Sequence, residues 1–196
     1  MPKKASPCNV VIKTAKFHPM QSLQHQHQHL ILIGMMGSGK TSVGRLLAVS
    51  HRLPFIDTDH EIEQRAGSSI PDLFAAQGEA AFREIEHKIL TTILQGEERA
   101  VISTGGGVVV NGANRDLLWK SGFVVYLKAD PETLLGRVSH DTNRPLLKQG
   151  DPLQTLTKLL EQRAPFYEHA HLTLQVNRLN CRQIAGRIWA HYSKRH

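Results

Sequence analysis

The sequence predicts an α/β fold: a three-layer sandwich, with a five-stranded parallel sheet flanked by helices. Two observations predict it. Short apolar runs alternate with longer segments of helical periodicity, the pattern of a parallel sheet covered on both faces. One such run, Leu30 to Ile33, also passes directly into GMMGSGKT, Gly34 to Thr41. That is the spacing G-x-x-x-x-G-K-[ST] of a phosphate-binding loop set between a strand and a helix.

The elements follow in order. HLILIG reads as a buried strand, and GKTSVGRLLAVSH as a helix with Val43, Leu46 and Leu47 inward. PFIDTD is a second, short strand ending in Asp57 and Asp59. DLFAAQGEAAFREIEHKILTTIL is helical, with Phe82, Ile85, Ile89 and Ile93 on one stripe. RAVIST is a third strand and runs into Gly105, Gly106 and Gly107. FVVYLKA is a fourth, followed by a helix that Asp130 and Pro131 open as N-cap and N1. Asp151 and Pro152 open the next helix in the same way. HLTLQV is the fifth strand, and a last helix covers Cys181 to Tyr192.

The chain of 196 residues suits one domain. Residues 1–29 stand apart: QSLQHQHQH is low in complexity, and the segment carries Lys3, Lys4, Lys13 and Lys16 with no acid. We read 1–29 as a disordered basic tail and 30–196 as the folded domain. His25, His27 and His29 alternate in the tail and could meet a metal, although a solvated tail explains them as well. The tail contributes +4 of the net charge of +7. The remainder is only mildly basic, which suits small anionic ligands better than nucleic acid. Cys8 and Cys181 share no motif, so a reducing, cytoplasmic setting is expected. No apolar run approaches the ~20 residues of a membrane span.

Ligands in open parallel sheets lie beyond the carboxyl ends of the strands. That puts Gly34–Thr41, Asp57–Asp59 and Gly105–Gly107 on one rim. In the loop, Gly37, Ser38, Gly39, Lys40, Thr41 and Ser42 would surround a phosphate chain at a helix N-terminus. Lys40 adds a point charge, and Thr41 a hydroxyl for Mg²⁺. Residues two apart on a strand face the same side. Asp57 and Asp59 could therefore divide labour between a metal shell and a substrate hydroxyl. Capping of the next helix is the other reading of Asp59. The VIST strand lacks a terminal acid, which leaves Asp57 as the nearest metal carboxylate.

Arg83 stands one step off its helix's apolar stripe, with Glu79 one turn back as a ready partner. Arg163 and Tyr167 continue the stripe of Leu153, Leu156 and Leu160. An arginine there needs either an internal carboxylate or an anionic ligand. The polar segment RVSHDTNRPLLKQGD joins two helices and is a candidate lid, within which Arg144 could reach a transferring phosphate.

Together the Gly34–Thr41 loop, FIDTDHEIEQRAGSSIPDLFAAQGEAAFREIE, STGGG, NRPLL and EQRAPFYEHA resemble the shikimate kinases over roughly residues 30–192. The resemblance implies a P-loop kinase fold of the nucleoside monophosphate kinase type, with a mobile lid. It implies transfer of phosphate from ATP to the 3-hydroxyl of shikimate, with one Mg²⁺ ion, on the way to chorismate and the aromatic amino acids. ATP and shikimate would be the partners of a monomer without nucleic-acid or membrane partners. By the same resemblance Lys40 meets the β and γ phosphates, Thr41 and Asp57 serve magnesium, and Asp59 is the base at the reacting hydroxyl. Arg83 and Arg163 would bind the shikimate carboxylate, Gly105, Gly106 and Gly107 would line its pocket, and Arg144 would act from the lid. Arg137 would pack on adenine, and Arg178, within Asn177 to Asn180, would lie where the adenine pocket closes. The sequence departs from the family pattern at Cys181, where proline is common, and at PFY, where PLY is common.

Overall fold

The computed structural model describes residues 29–138 and 151–194. Five strands are present among them: β1 (His29–Ile33), β2 (Phe55–Asp57), β3 (Val101–Ser103), β4 (Gly122–Lys128) and β5 (Leu172–Gln175). They form one parallel sheet in the order β2-β3-β1-β4-β5. Leu30 stands between Val101 and Phe123 in register. Every residue of β1 is buried, as an apolar run covered on both faces requires.

The described helices are α1 (Lys40–His51), α2 (Thr58–Ala66), α3 (Ile70–Leu94), α4 (Gly112–Ser121), α5 (Pro131–Val138), α6 (Pro152–Tyr167) and α7 (Cys181–Tyr192). α1 packs on α7, α3 on α4, and α5 on α6. From β1 the chain crosses to the β2 edge, and from β3 it crosses the other way to β4. The reversal opens a crevice above the carboxyl ends of β1 and β3. The phosphate loop leaves β1 there, and the glycine triplet leaves β3 there. Thr104 ties the two ends together, its N–H and hydroxyl both donating to Leu32 O at 3.2 and 3.0 Å.

Several expectations change in the structure. Asp59 is not on a strand: β2 stops at Asp57, and Asp59 lies in the first turn of α2. Asp57 is the N-cap, its Oδ1 accepting from Asp59 N at 3.2 Å. An N-cap aspartate satisfies a helix-end donor, and this ends the strand two residues early. His29 belongs to the fold, not to the tail. It is buried in β1, and its Nδ1 accepts from Ala100 N at 3.2 Å. That engagement removes it from a metal-binding tract with His25 and His27. α4 has no counterpart among the expected elements, because its apolar positions are few and its N-cap, Asn111, follows a 3₁₀ turn at Val108–Val110. α3 bends at Gly78, where φ is 77° and ψ 174°. The tail through residue 28 and the lid segment around Arg144 lie outside the described residues.

At Cys181 the helix start survives without proline. Asn180 accepts from Gln183 N, and the Gln183 side chain accepts from Asn180 N, both at 3.0 Å. This capping box supplies what proline at N1 would otherwise favour by pre-set φ.

Candidate active site

The phosphate loop is held by its own lysine. Lys40 is buried, and Nζ donates to Gly34 O and Met35 O, each at 2.9 Å. Gly37 and Gly39 have φ of 77° and 96°, a left-handed backbone that a Cβ disfavours. Ser38 Oγ is buried and has no hydrogen-bond partner among the described residues. An open cradle with a buried polar atom still to be satisfied fits a phosphate chain.

Beside the loop, Thr41 Oγ1 donates to Asp57 Oδ2 at 2.8 Å and lies 3.4 Å from Ser103 Oγ. Thr41, Asp57 and Asp59 also line a cleft of about 360 Å³. These hard oxygen atoms suit a divalent cation. Among the described residues no three His, Cys, Asp or Glu side chains gather as a metal cage. An ion held chiefly by substrate phosphates and water, with one or two protein oxygens, needs no such cage.

The glycine triplet explains itself through its neighbours. A Cβ on Gly105 would lie 2.5 Å from Asp59 Oδ1 and 3.3 Å from Glu86 Oε1. One on Gly107 would lie 2.5 Å from Arg83 Nη2. One on Gly106 would meet the phosphate-loop backbone, 3.4 Å from Met36 N. The triplet is thus a floor, over which an acid, a loop and an arginine converge.

Arg83 and Arg163 come to this floor in different states. Arg83 donates to Glu79 through Nε and Nη2 at 3.3 and 3.1 Å, and to Glu86 through Nη1 at 2.8 Å. Glu79 is largely exposed, so that half of the arrangement is weak and exchangeable. Arg163 is buried, and among the described residues no carboxylate forms an ion pair with it. Its Nη1 donates to Gly106 O at 3.3 Å and touches Met35 Sδ at 3.8 Å. Of the two partners the sequence allowed, no internal carboxylate lies within ion-pair distance of Arg163 among the described residues; Glu86, engaged by Arg83, is near enough only to feel its charge. Tyr167, one turn on, also donates to Gly106 O and stacks on Tyr126 at 4.8 Å between ring centroids. Burial pushes the Tyr167 phenol up to about 12, against the pull of Arg163, so it remains a donor at neutral pH.

Sequence reasoning missed Glu86. It is 2% exposed and lies one helical turn past Phe82 and three residues before Ile89 on the inward face. An acid on an apolar stripe was the available signal. Burial raises its pKa, and Arg83 and then Arg163 oppose the rise. Arg83→Ala would therefore push the Glu86 pKa higher still. A carboxyl whose pKa is raised by folding favours the fold at low pH and loses that contribution as pH climbs through the folded value. The Tm deficit of Arg83→Ala is accordingly expected to be larger near pH 8 than near pH 5. Adding Glu86→Gln should abolish the difference. Equal deficits at both pH values would remove Glu86 from the account.

Arg137, expected against adenine, bridges the phosphate loop and the end of β5. Its Nη1 donates to Gly37 O at 3.4 Å and its Nη2 to Val176 O at 3.1 Å. Arg178 is exposed. Asn177 is tied to Asp130, whose backbone N–H donates to Asn177 Oδ1 at 3.0 Å. Arg144 cannot be placed against these groups, since it lies outside the described residues.

A parallel sheet of this order, with a lysine-bearing phosphate loop at its crevice and an acid and arginines across the rim, defines a P-loop phosphotransferase. The family model for shikimate kinase matches residues 36–192. A shikimate kinase of Rhizobium leguminosarum bv. trifolii is 48% identical over 147 residues, 75% of this chain and 74% of that protein. One of Thiobacillus denitrificans is 44% identical over 172 residues, 86% of this chain and 91% of its own. A solved shikimate kinase from Acinetobacter baumannii, in complex with shikimate, superposes with a TM-score of 0.82 at 39% identity, covering 86% of this chain and 94% of that one. The chain belongs to the shikimate kinase family.

Proposed function

We propose that the protein transfers the γ-phosphoryl group of ATP to the 3-hydroxyl of shikimate, giving shikimate 3-phosphate and ADP, on the route to chorismate and the aromatic amino acids. One observation carries the choice of acceptor. Arg163 is a buried cation with no ion-pair partner among the described residues, set on the glycine floor facing the phosphate loop. A guanidinium fork in that position matches a carboxylate with two parallel hydrogen bonds. Arg83 can join it by exchanging the exposed Glu79 for the substrate.

In this reading Lys40 leaves the loop carbonyls for the β and γ phosphates. Asp59, over Gly105, accepts a hydrogen bond or proton from the acceptor hydroxyl. Thr41 and Asp57 hold Mg²⁺, which when bound neutralises charge on the phosphate oxygens. Arg144 acts from the lid, Arg137 and Arg178 flank the adenine, and the loop residues Gly37, Ser38, Gly39 and Ser42 line the nucleotide. Positioning and charge neutralisation carry the rate, since phosphoryl transfer asks little covalent chemistry of a protein. We further propose a cytoplasmic monomer. No described helix is long and apolar enough to cross a membrane.

ADP release with MgATP is the test, comparing shikimate, gluconate and no acceptor. Release that requires shikimate supports the proposal. Release with gluconate alone overturns the acceptor and keeps the phosphate loop. The glycine floor gives a second test. Gly105→Ala would displace Asp59 and is expected to lower kcat by about 10–100-fold. Gly107→Ala would displace Arg83 and is expected to act mainly on the shikimate KM. Steady-state kinetics with the two effects interchanged would reverse these roles.

A further inference from the structure

We propose that Met35 is a positioning residue that couples the nucleotide site to the acceptor site. The inference rests on the reading above, in which Lys40 meets the phosphates and Arg163 the acceptor carboxylate. Met35 is the first residue after Gly34 in the loop, and it is 1% exposed. Its two ends serve two sites. Its carbonyl accepts from Lys40 Nζ at 2.9 Å and from Ser38 N at 3.2 Å. Its thioether lies 3.8 Å from Arg163 Nη1 and 3.5 Å from Tyr167 Oη, where it is a weak acceptor for both. The same two donors hold Gly106 O, and a Cβ on Gly106 would come within 3.4 Å of Met36 N and 3.5 Å of Gly34 O, so the floor leaves room for little more than a glycine beside the loop backbone. Loop, glycine floor and α6 therefore meet at one side chain.

The physical consequence follows from packing. When phosphates draw the Lys40 ammonium away, Met35 O loses its charged donor and keeps only the neutral Ser38 N–H at 3.2 Å, so its peptide tilts about that remaining bond. A buried side chain in a close-packed interior cannot move alone. The thioether shifts against Arg163 and Tyr167 and resets the guanidinium over Gly106. Occupation of the loop then changes affinity for the acceptor, and by linkage the acceptor changes affinity for the nucleotide by the same factor. The two-state element is the Lys40–Met35 contact, made or released.

Binding experiments on the full chain test this. Shikimate affinity is measured with and without the magnesium complex of β,γ-imido-ATP, and the analogue's affinity with and without shikimate. For the native protein the two ratios should agree, at about 5–150-fold. In Met35→Leu, which keeps volume and loses the acceptor, the ratio should fall at least about threefold, with each ligand alone bound within about threefold of normal. Met35→Ala should bring the ratio close to unity. If Met35→Ala fails to fold, the leucine variant decides. A ratio unchanged in Met35→Leu overturns the proposal, as does a native ratio of one. Absence of shikimate binding to the native protein would instead overturn the acceptor assignment on which it rests. A purely structural role for Met35 would lower Tm and leave the ratio intact.

Discussion

Lys40→Met is expected to lower kcat by about 10²–10³-fold, the range for removing one preorganised charge from a reacting oxyanion. The argument begins with what Lys40 does before nucleotide arrives. Nζ is buried and already pinned at 2.9 Å to two carbonyls of its own loop. Its charge is thus aimed at the cradle by backbone geometry, and little reorganisation is needed when phosphates enter. Methionine keeps the stem and removes the charge. Met35 O retains a donor in Ser38 N at 3.2 Å, so the cost to stability falls chiefly on Gly34 O, about 1–3 kcal/mol for one buried acceptor left without its donor. Kinetics and thermal unfolding should be measured together. A near-normal kcat in a folded Lys40→Met protein would remove Lys40 from catalysis. Arginine is no rescue, because its planar fork cannot occupy a site shaped for a compact ammonium.

What the sequence made legible follows the range of the forces involved. The five strands and the phosphate loop rest on local signals, apolar runs and a fixed glycine–lysine spacing, and both stand in the structure. Asp59 lies one element later than FIDTD suggests, because that segment satisfies a strand and only the Asp57 carboxylate capping α2 ends it. α4 carried too weak a stripe to be recognised beside the valines before it. The site shows the same division. Arg163 was legible as an inward arginine, but its state was not, since only the folded chain shows that Glu86 is engaged by Arg83. Glu86 is hidden in the sequence by its neighbour Ile85, which also completes an apolar stripe between Phe82 and Ile89. The glycine triplet was legible as close approach, yet which groups approach it depends on α2 and α3 arriving from elsewhere in the chain.

The state of Arg163 leads to an expected result with two readouts of opposite sign. Arg163→Met should raise the shikimate KM by about 10–100-fold, the loss of charge-assisted hydrogen bonds worth about 1.5–3 kcal/mol. The same substitution should leave Tm unchanged or higher. A cation buried without an ion pair among the described residues carries a desolvation penalty, and an apolar chain of similar length in its place removes it. Tyr167 still donates to Gly106 O after the change, so the floor keeps one of its two supports. Loss of Arg163 also removes one of the groups that restrain the raised Glu86 pKa. Any gain in Tm should therefore shrink as pH rises through the folded Glu86 value. Arg163→Lys should recover charge but only part of the affinity, because an ammonium cannot form the paired bonds of a fork. The outcome that counts against the carboxylate clamp is the reverse: a marked fall in Tm with shikimate KM unchanged would make Arg163 a strut for Gly106 and leave the acceptor to be held by Arg83.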